Sequence, residues 1–315
     1  MKKNILLIAA LVGAMAWTAC QKAEEEFIEE QSQEQTVEET VWSLTVPAIK
    51  EDTPQTKGLA LDGAEATATT LQSIWKVNET VEVYLGTTHI GTLTATPDGS
   101  DAHKATLSGT ISTSETITPK VTTLTLLTPR ETWDYTGQTG VLLSDANSIE
   151  KKFHYTMATS VLVKDYEGTT LTTGAATFQN QQSIYRLSFR FQKAGASEKT
   201  AINAQTVTIA SAHLAGTTTL NAGSVTDNLV DAIEVDLASS TTDPIFVALR
   251  MASNQPAEGA ETLTFTVIDN EGATYKGSKD VPAANKGNGV FVSIKNATIS
   301  RLDMEVSSAT TATAL

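Results

Sequence analysis

The chain has 315 residues, of which 40% are hydrophobic and 18% are charged, as is ordinary for a folded protein. This length is enough for two domains. The formal net charge of −14 disfavours binding to nucleic acid phosphates or anionic lipid headgroups through a broad basic surface, so no nucleic acid partner is predicted. The same charge also favours solubility.

The first 19 residues are predicted to be a lipoprotein signal peptide. Two lysines precede an apolar run, residues 5–17, which is too short to span a bilayer comfortably. Small residues stand directly before Cys20, the only cysteine, as in a bacterial lipobox, although Trp17 occupies the usual Leu position. We expect acyl chains such as palmitate on Cys20. A free thiol and a plain signal peptide are the alternatives.

Residues 20–40 are predicted to be an acidic, disordered tether, because they are rich in Glu and Gln and almost devoid of apolar residues. The cluster at residues 22–25, Lys-Ala-Glu-Glu, resembles the acidic signal that directs some lipoproteins to the outer leaflet of the outer membrane. The alternative is an acidic spacer without a sorting role. The predicted location is therefore the cell outer membrane, with the lipoprotein exposed at the surface.

The next element is a short strand at residues 42–46, in which apolar and polar side chains alternate. Pro47 is predicted to end this strand. Residues 48–58 then form a polar segment of the kind that stays exposed and is cut by proteases, and it contains Lys50 and Lys57. An apolar strand joined to its domain by a cleavable segment can be lost.

The remaining chain alternates β-branched or aromatic runs with Gly, Asp, Asn and Pro, a pattern that predicts an all-β sandwich. The Gly/Thr/Ala-rich stretch at residues 167–176 marks a domain boundary, which divides the body into residues 41–168 and 169–315. The predicted strands are residues 81–85, 105–109, 123–127, 160–163, 186–191, 207–209, 245–249, 262–268, 290–294 and 297–302.

No catalytic, cofactor-binding or metal-binding motif is found in the sequence. The four histidines have no metal-ligand spacing, and nucleophile elbows, phosphate-binding loops and dinucleotide fingerprints are absent. Trp133 and Tyr135 are the aromatics best suited to stack on a sugar, while Trp75 is expected in the core. Core packing of Trp133 is the alternative.

Several segments, read in order, resemble the fimbrillin-like family of Bacteroidales outer-membrane lipoproteins, which includes the subunits of type V pili. The order and spacing of these segments carry the resemblance, and no single one is a catalytic signature. They are residues 42–46, 56–61, 74–79, 81–84, 134–140, 178–186 and 289–302.

The resemblance implies two tandem transthyretin-like Greek-key β-sandwich domains and assembly by strand exchange. A trypsin-like protease would cut after a basic residue following the first strand, which then leaves the domain. The family motif usually has Arg where this chain has Lys57, so Lys57 is the first candidate and Lys50 the second. The displaced strand would contain Trp42, Leu44 and Val46.

The resemblance also implies a donor strand, for which the alternating residues near the C-terminus are candidates. Leu302, Met304 and Val306 would point to one side of such a strand. The alternative is that this segment completes the last strand of its own domain.

The predicted function is that of a non-enzymatic surface lipoprotein that acts as a fimbrial subunit or pilus-associated adhesin. Its expected partners are other fimbrial subunits (itself or paralogues), the processing protease, the outer membrane, and host or bacterial surface glycans or proteins. A monomeric glycan-binding lipoprotein is the main alternative. A carbohydrate-active enzyme on a sandwich scaffold is a third possibility.

Overall fold

Strands dominate the computed structural model, as the alternating sequence predicts. The structure describes residues 38–50, 59–61, 64, 71–128, 132–143, 145–193, 195–221, 224–252, 261–281 and 291–301. Within these ranges the only helical element is a single π-helical turn at Ile149–Phe153. No helix in the described ranges is long and apolar enough to cross a membrane. The all-β class is confirmed.

The strands of the first half are β1 (Thr40–Lys50), β2 (Leu59–Leu61), β3 (Leu71–Ser73), β4 (Thr80–Leu85), β5 (Thr88–Pro97), β6 (Lys104–Thr113), β7 (Thr123–Thr128), β8 (Thr132–Asp134), β9 (Thr156–Glu167), β10 (Thr170–Thr173) and β11 (Ala176–Asn180). Those of the second half are β12 (Ser183–Gln192), β13 (Lys199–Ala201), β14 (Ala204–Ala210), β15 (Ala215–Asn221), β16 (Ser224–Leu229), β17 (Ala232–Thr241), β18 (Ile245–Leu249), β19 (Glu261–Asp269), β20 (Thr274–Val281), β21 (Phe291–Thr298) and β22 (Ser300–Arg301). Each strand predicted between residues 81 and 268 lies within an observed strand.

The largest sheet closes on itself. Its strand order is β10-β1-β11-β9-β7-β4-β5-β6, and β6, at the end of this order, also pairs with β1, so the strands from β1 to β6 form a closed ring. β10 and β11 both pair with β9 and follow one another along the same edge of β1. The closure removes the exposed edges that an open sheet would have.

The interior of this closed sheet is an apolar core contributed by its alternating inward residues. Trp75, just before β4, packs in this core edge-on to Phe178 of β11, with ring centroids 5.1 Å apart. The predicted core position of Trp75 is therefore confirmed, with 3% of the residue exposed.

The remaining strands form smaller sheets around a second apolar core. One sheet has the order β17-β14-β19-β20-β22, and in another β12 pairs with β13, β18 and β21. A hairpin at residues 269–272 joins β19 to β20, whose antiparallel register runs from Glu261↔Val281 to Ile268↔Thr274. The last two sheets are β16-β15-β8 and β2-β3.

Strands from both sides of residue 168 share sheets. β10 and β11 follow that residue in sequence but complete the closed first sheet. β8 precedes it but pairs with β15, at Thr217↔Asp134 and Trp133↔Thr218. Residues 38–315 accordingly group as one unit.

Candidate functional site

β1 is the strand that closes the first sheet. One of its edges pairs antiparallel with β6 along nearly its whole length, from Thr40↔Thr113 to Ile49↔Lys104. Its other edge pairs in parallel first with β10 and then with β11. Loss of β1 would therefore open a groove between β6 on one side and β10 and β11 on the other.

Pro47 does not end this strand, contrary to the sequence prediction. The N–H of Lys50 donates to the carbonyl of His103 beside β6, and that of Ser43 to Thr169 beside β10. Successive backbone N–H groups of a strand point to opposite edges. The backbone nitrogen of Pro47 therefore points to the same edge as that of Ser43, which is the edge that β10 and β11 occupy. Pairing with β10 stops at Thr45 and pairing with β11 starts at Ala48, so the proline falls in the gap between them.

The inward face of β1 fills the apolar core. Leu44 and Val46 are fully buried and Ala48 is 2% exposed, while the residues between them point outward. Trp42 is half-buried, and its ring lies edge-on to Tyr166 of β9 at 5.3 Å between centroids. The predicted alternation of residues 42, 44 and 46 is thus present and continues for four more residues.

Lys50, the last residue of β1, is held at the same inward face. Its Nζ donates to the carbonyl oxygen of Ile74 at 3.0 Å and lies 3.1 and 3.0 Å from the two carboxylate oxygens of Glu79. The Nζ also lies 4.0 Å from the centroid of the Trp75 ring. The side chain of Lys50 is 0% exposed and that of Glu79 is 6% exposed, so this is a buried ion pair.

The burial of Lys50 corrects its prediction as an exposed cleavage candidate. A trypsin-like protease must take the basic side chain into its own pocket, yet this ammonium group is enclosed and the strand is paired on both edges. Lys50 is therefore inaccessible while β1 stays in place. It instead joins β1 to the segment that precedes β4.

The other processing, lipidation and donor residues lie outside the described residues. These are Lys57, Cys20, Leu302, Met304 and Val306. Arg301 ends the described chain in β22, where it pairs with Tyr275 of β20.

Trp133 and Tyr135 do not present a ligand-stacking surface, which corrects the prediction for these two rings. Both are fully buried. The Trp133 ring stacks on Tyr155 with centroids 5.8 Å apart, and the Arg250 guanidinium lies 5.6 Å from its centroid. Burial raises the pKa of Tyr135 well above its usual range and keeps the phenol neutral. The sequence identifies both large side chains but does not show that Trp133, in the three-residue strand β8, and Tyr135, directly after it, face the core.

The described histidines do not gather into a metal site or a nucleophile-and-base pair. Within the described ranges no group of three or more potential ligands could hold a metal ion. His213 Nδ1 lies 3.0 Å from Glu261, and the Ser211 hydroxyl donates to the same carboxylate. The serine therefore points at the acid instead of at the imidazole, which is the wrong order for activating a hydroxyl.

Comparison with solved structures gives matches to bacterial proteins described as cell adhesion and fimbrial assembly proteins. A candidate cell adhesion protein from Bacteroides uniformis is 16% identical, with a TM-score of 0.45 over 82% of this chain and 96% of that chain. A fimbrial assembly protein from Parabacteroides distasonis is 12% identical, with a TM-score of 0.37 over 81% and 91%. No family model and no curated protein matches. TM-scores below 0.5 at such identities assign neither a family nor a function to this chain.

Proposed function

We propose that this chain is a surface lipoprotein that acts as a fimbrial subunit or pilus-associated adhesin and assembles by exchange of β1. The observation that supports the proposal is the position of β1: it is paired on both edges, yet it comes first among the described strands. A strand at this position can leave without drawing any other described strand out of the sheet. The proposal involves no catalysis by this chain.

The vacated groove would accept an extended segment from another subunit. Unpaired N–H and C=O groups on β6, β10 and β11 would supply main-chain hydrogen bonds to the incoming strand. The cavities left by Leu44 and Val46 would take two of its alternate side chains, each worth about 1.5–3 kcal/mol when fully buried. The resident β1 uses these same contacts, so the groove stays closed until the resident strand is detached.

Cleavage after Lys57 is the proposed detachment step. The cut would separate β1, together with the proposed lipid anchor at Cys20, from the body that begins with β2. A covalently linked β1 competes at high effective concentration, whereas a cut β1 competes only as a separate segment. Cleavage thus makes it easier for another strand to replace β1, although the residues that line the groove stay the same.

The proposed donor is a C-terminal segment of a neighbouring subunit. In this chain the corresponding residues, Leu302, Met304 and Val306, alternate directly after β22. A segment that continues from a sheet edge can extend away from its own domain to reach a neighbour.

Limited trypsin digestion of residues 21–315, followed by mass and size analysis, tests the proposal. We expect cleavage after Lys57 with an intact body and, as long as β1 remains in the sheet, no cleavage after Lys50, because Lys50 is buried there. Cut protein should then form SDS-resistant multimers, alone or with other fimbrial subunits, and deletion of residues 303–315 should slow or stop their growth if the tail of the same chain is the donor. Cut protein that remains monomeric under all conditions, alone and with other fimbrial subunits, would refute strand exchange.

A further inference from the structure

The groove occupied by β1 is apolar along its middle and anionic at one end. Leu44, Val46 and Ala48 occupy the apolar part, and the carboxylate of Glu79 lies at the end, where it meets Lys50. The inward side chains of β1, at every second residue, are therefore two large apolar groups, one small group and one cation, in that order along the strand. We propose that the groove selects its occupant by this charge, so that a strand replacing β1 must place Lys or Arg where Lys50 lies. The proposal rests on the proposed exchange of β1.

The cation position is built by groups that remain with the body when β1 leaves. Glu79 offers both carboxylate oxygens to Nζ, at 3.0 and 3.1 Å, and the Ile74 carbonyl offers a third acceptor at 3.0 Å. The Trp75 ring lies 4.0 Å from the same nitrogen. Acceptors and an aromatic face around one point recognise an ammonium or guanidinium group. All three residues belong to the segment before β4, so an incoming strand would meet the same acceptors.

A replacement strand without a cation would bury the Glu79 carboxylate without its counter-charge. The backbone N–H of Lys76 also donates to this carboxylate, at 3.2 Å, but one neutral donor does not balance a full charge. Truncating one member of a buried, hydrogen-bonded charge pair typically weakens binding by about 100-fold or more. The unpaired carboxylate thus weakens the binding of uncharged strands, in addition to strengthening the binding of strands that carry a cation at this position.

The C-terminal segment of this chain does not satisfy the rule. If Leu302, Met304 and Val306 took the places of Leu44, Val46 and Ala48, then Ser308 would fall at the position of Lys50.

Insertion in the opposite direction would place Ser300 at that position, and residues 302–315 contain no Lys or Arg. Arg301 has the opposite parity to Leu302, so it would face outward. We therefore infer that the preferred occupant is a strand from a subunit of different sequence. In that strand, a basic residue would lie two positions after the last of the apolar and small inward residues.

Peptide exchange into the full chain tests this inference. A site for a sequence-specific protease, inserted between Lys57 and Gly58, makes the cut independent of trypsin. Fluorescently labelled peptides with the sequence of residues 40–50 are then titrated against the cut chain and followed by anisotropy. The variants are Lys50→Met, Lys50→Arg and, as a matched control on the exposed face, Thr45→Ala.

The Lys50→Met peptide should bind about 100-fold more weakly than the native peptide, whereas the Lys50→Arg and Thr45→Ala peptides should stay within about tenfold. A peptide of residues 302–315 should bind weakly, and Ser308→Lys in that peptide should tighten it by about 100-fold. With Glu79→Gln in the cut chain, the difference between the native and Lys50→Met peptides should fall below about tenfold.

The outcomes separate the two proposals. If the native peptide exchanges in but Lys50→Met binds equally well, selection by charge is refuted while strand exchange stands. If the native peptide of residues 40–50 cannot enter the cut chain at all, strand exchange itself is refuted and this inference falls with it. Since the peptide variants leave the body unchanged, a folding defect of Glu79→Gln would not obscure either result.

Discussion

Replacement of Lys50 by Met in the uncut chain removes the charge at the end of β1 while keeping most of the apolar stem. The substitution deletes the contacts of Nζ with Glu79 and with the Ile74 carbonyl, and it leaves a carboxylate whose side chain is only 6% exposed. Breaking a buried ion pair from one side costs about 3–5 kcal/mol. The N–H of Lys76 still donates to Glu79, so we expect a loss near the lower limit, about 3 kcal/mol.

Urea unfolding followed by tryptophan fluorescence measures this loss, because Trp75 lies against the ion pair. Lys76→Met is the matched control: its ion pair with Glu150 spans 3.3 Å with the lysine side chain 54% exposed, so it should cost less than about 1 kcal/mol. Replacing both Lys50 and Glu79 by Met should recover part of the loss, since no charge then stays buried. A Lys50→Met variant as stable as the Lys76→Met control would refute the argument that the buried pair anchors β1.

Three further predictions concern packing and titration. Leu44→Ala should lower the free energy of unfolding by about 2–5 kcal/mol, while the outward Thr45→Ala should change it by no more than about 0.5 kcal/mol in urea titrations. Trp133→Ala should cost about 3–5 kcal/mol by the same assay, and an unchanged stability would contradict its core position. Asp269 is expected to contribute to acid stability: desolvation by itself raises its pKa, but backbone N–H donors and the Tyr275 hydroxyl hold the pKa below its usual value. The stabilisation by the Asp269 carboxylate is therefore present above its unfolded-state pKa and is lost as the pH falls through its folded-state pKa. The Asp269→Asn variant should be less stable than the wild type at pH 7, and it should lose less stability than the wild type on acidification.

The sequence predicts the strands well because most of them carry their own local alternation of apolar and polar residues, while β18 is a short run that is apolar throughout. β1 shows the limit of local reasoning. Its inward positions continue through Ala48 to Lys50, but a proline a few residues before a polar stretch is typical of a strand end. Only the pairing shows that Pro47 lies where β1 passes from β10 to β11 and needs no donor there.

The partner of Lys50 could not be identified from sequence, because Glu79 is 29 residues away along the chain. Nothing in the local pattern distinguishes this carboxylate from the many exposed ones. One signal was available: Lys50 has the same parity as Leu44 and Val46, which places it on the inward face if the strand continues. An inward lysine requires a counter-charge, so the parity of Lys50 implies a buried acid beside it.

The positions of Trp133 and Tyr135 depend on contacts between distant parts of the chain. β8 has three residues, too few for alternation to define a buried face, and it pairs with β15 more than eighty residues later. The burial of Trp133 therefore depends on β15 and Arg250, and the residues near Trp133 in the sequence do not reveal these contacts.

A disulfide between β1 and β6 tests the central claim, that β1 must leave for subunits to assemble. Thr45 and Ser108 are directly opposite and both exposed. By the alternation of N–H groups they form a non-hydrogen-bonded pair, with Cα atoms about 4.5 Å apart, within the range that a disulfide spans. The variant Thr45→Cys/Ser108→Cys of residues 21–315 is cut after Lys57 and mixed with the same fimbrial subunits in its oxidised and reduced forms. The oxidised protein should stay monomeric, and the reduced protein should form multimers. Equal multimer formation by the oxidised and reduced forms would contradict the account.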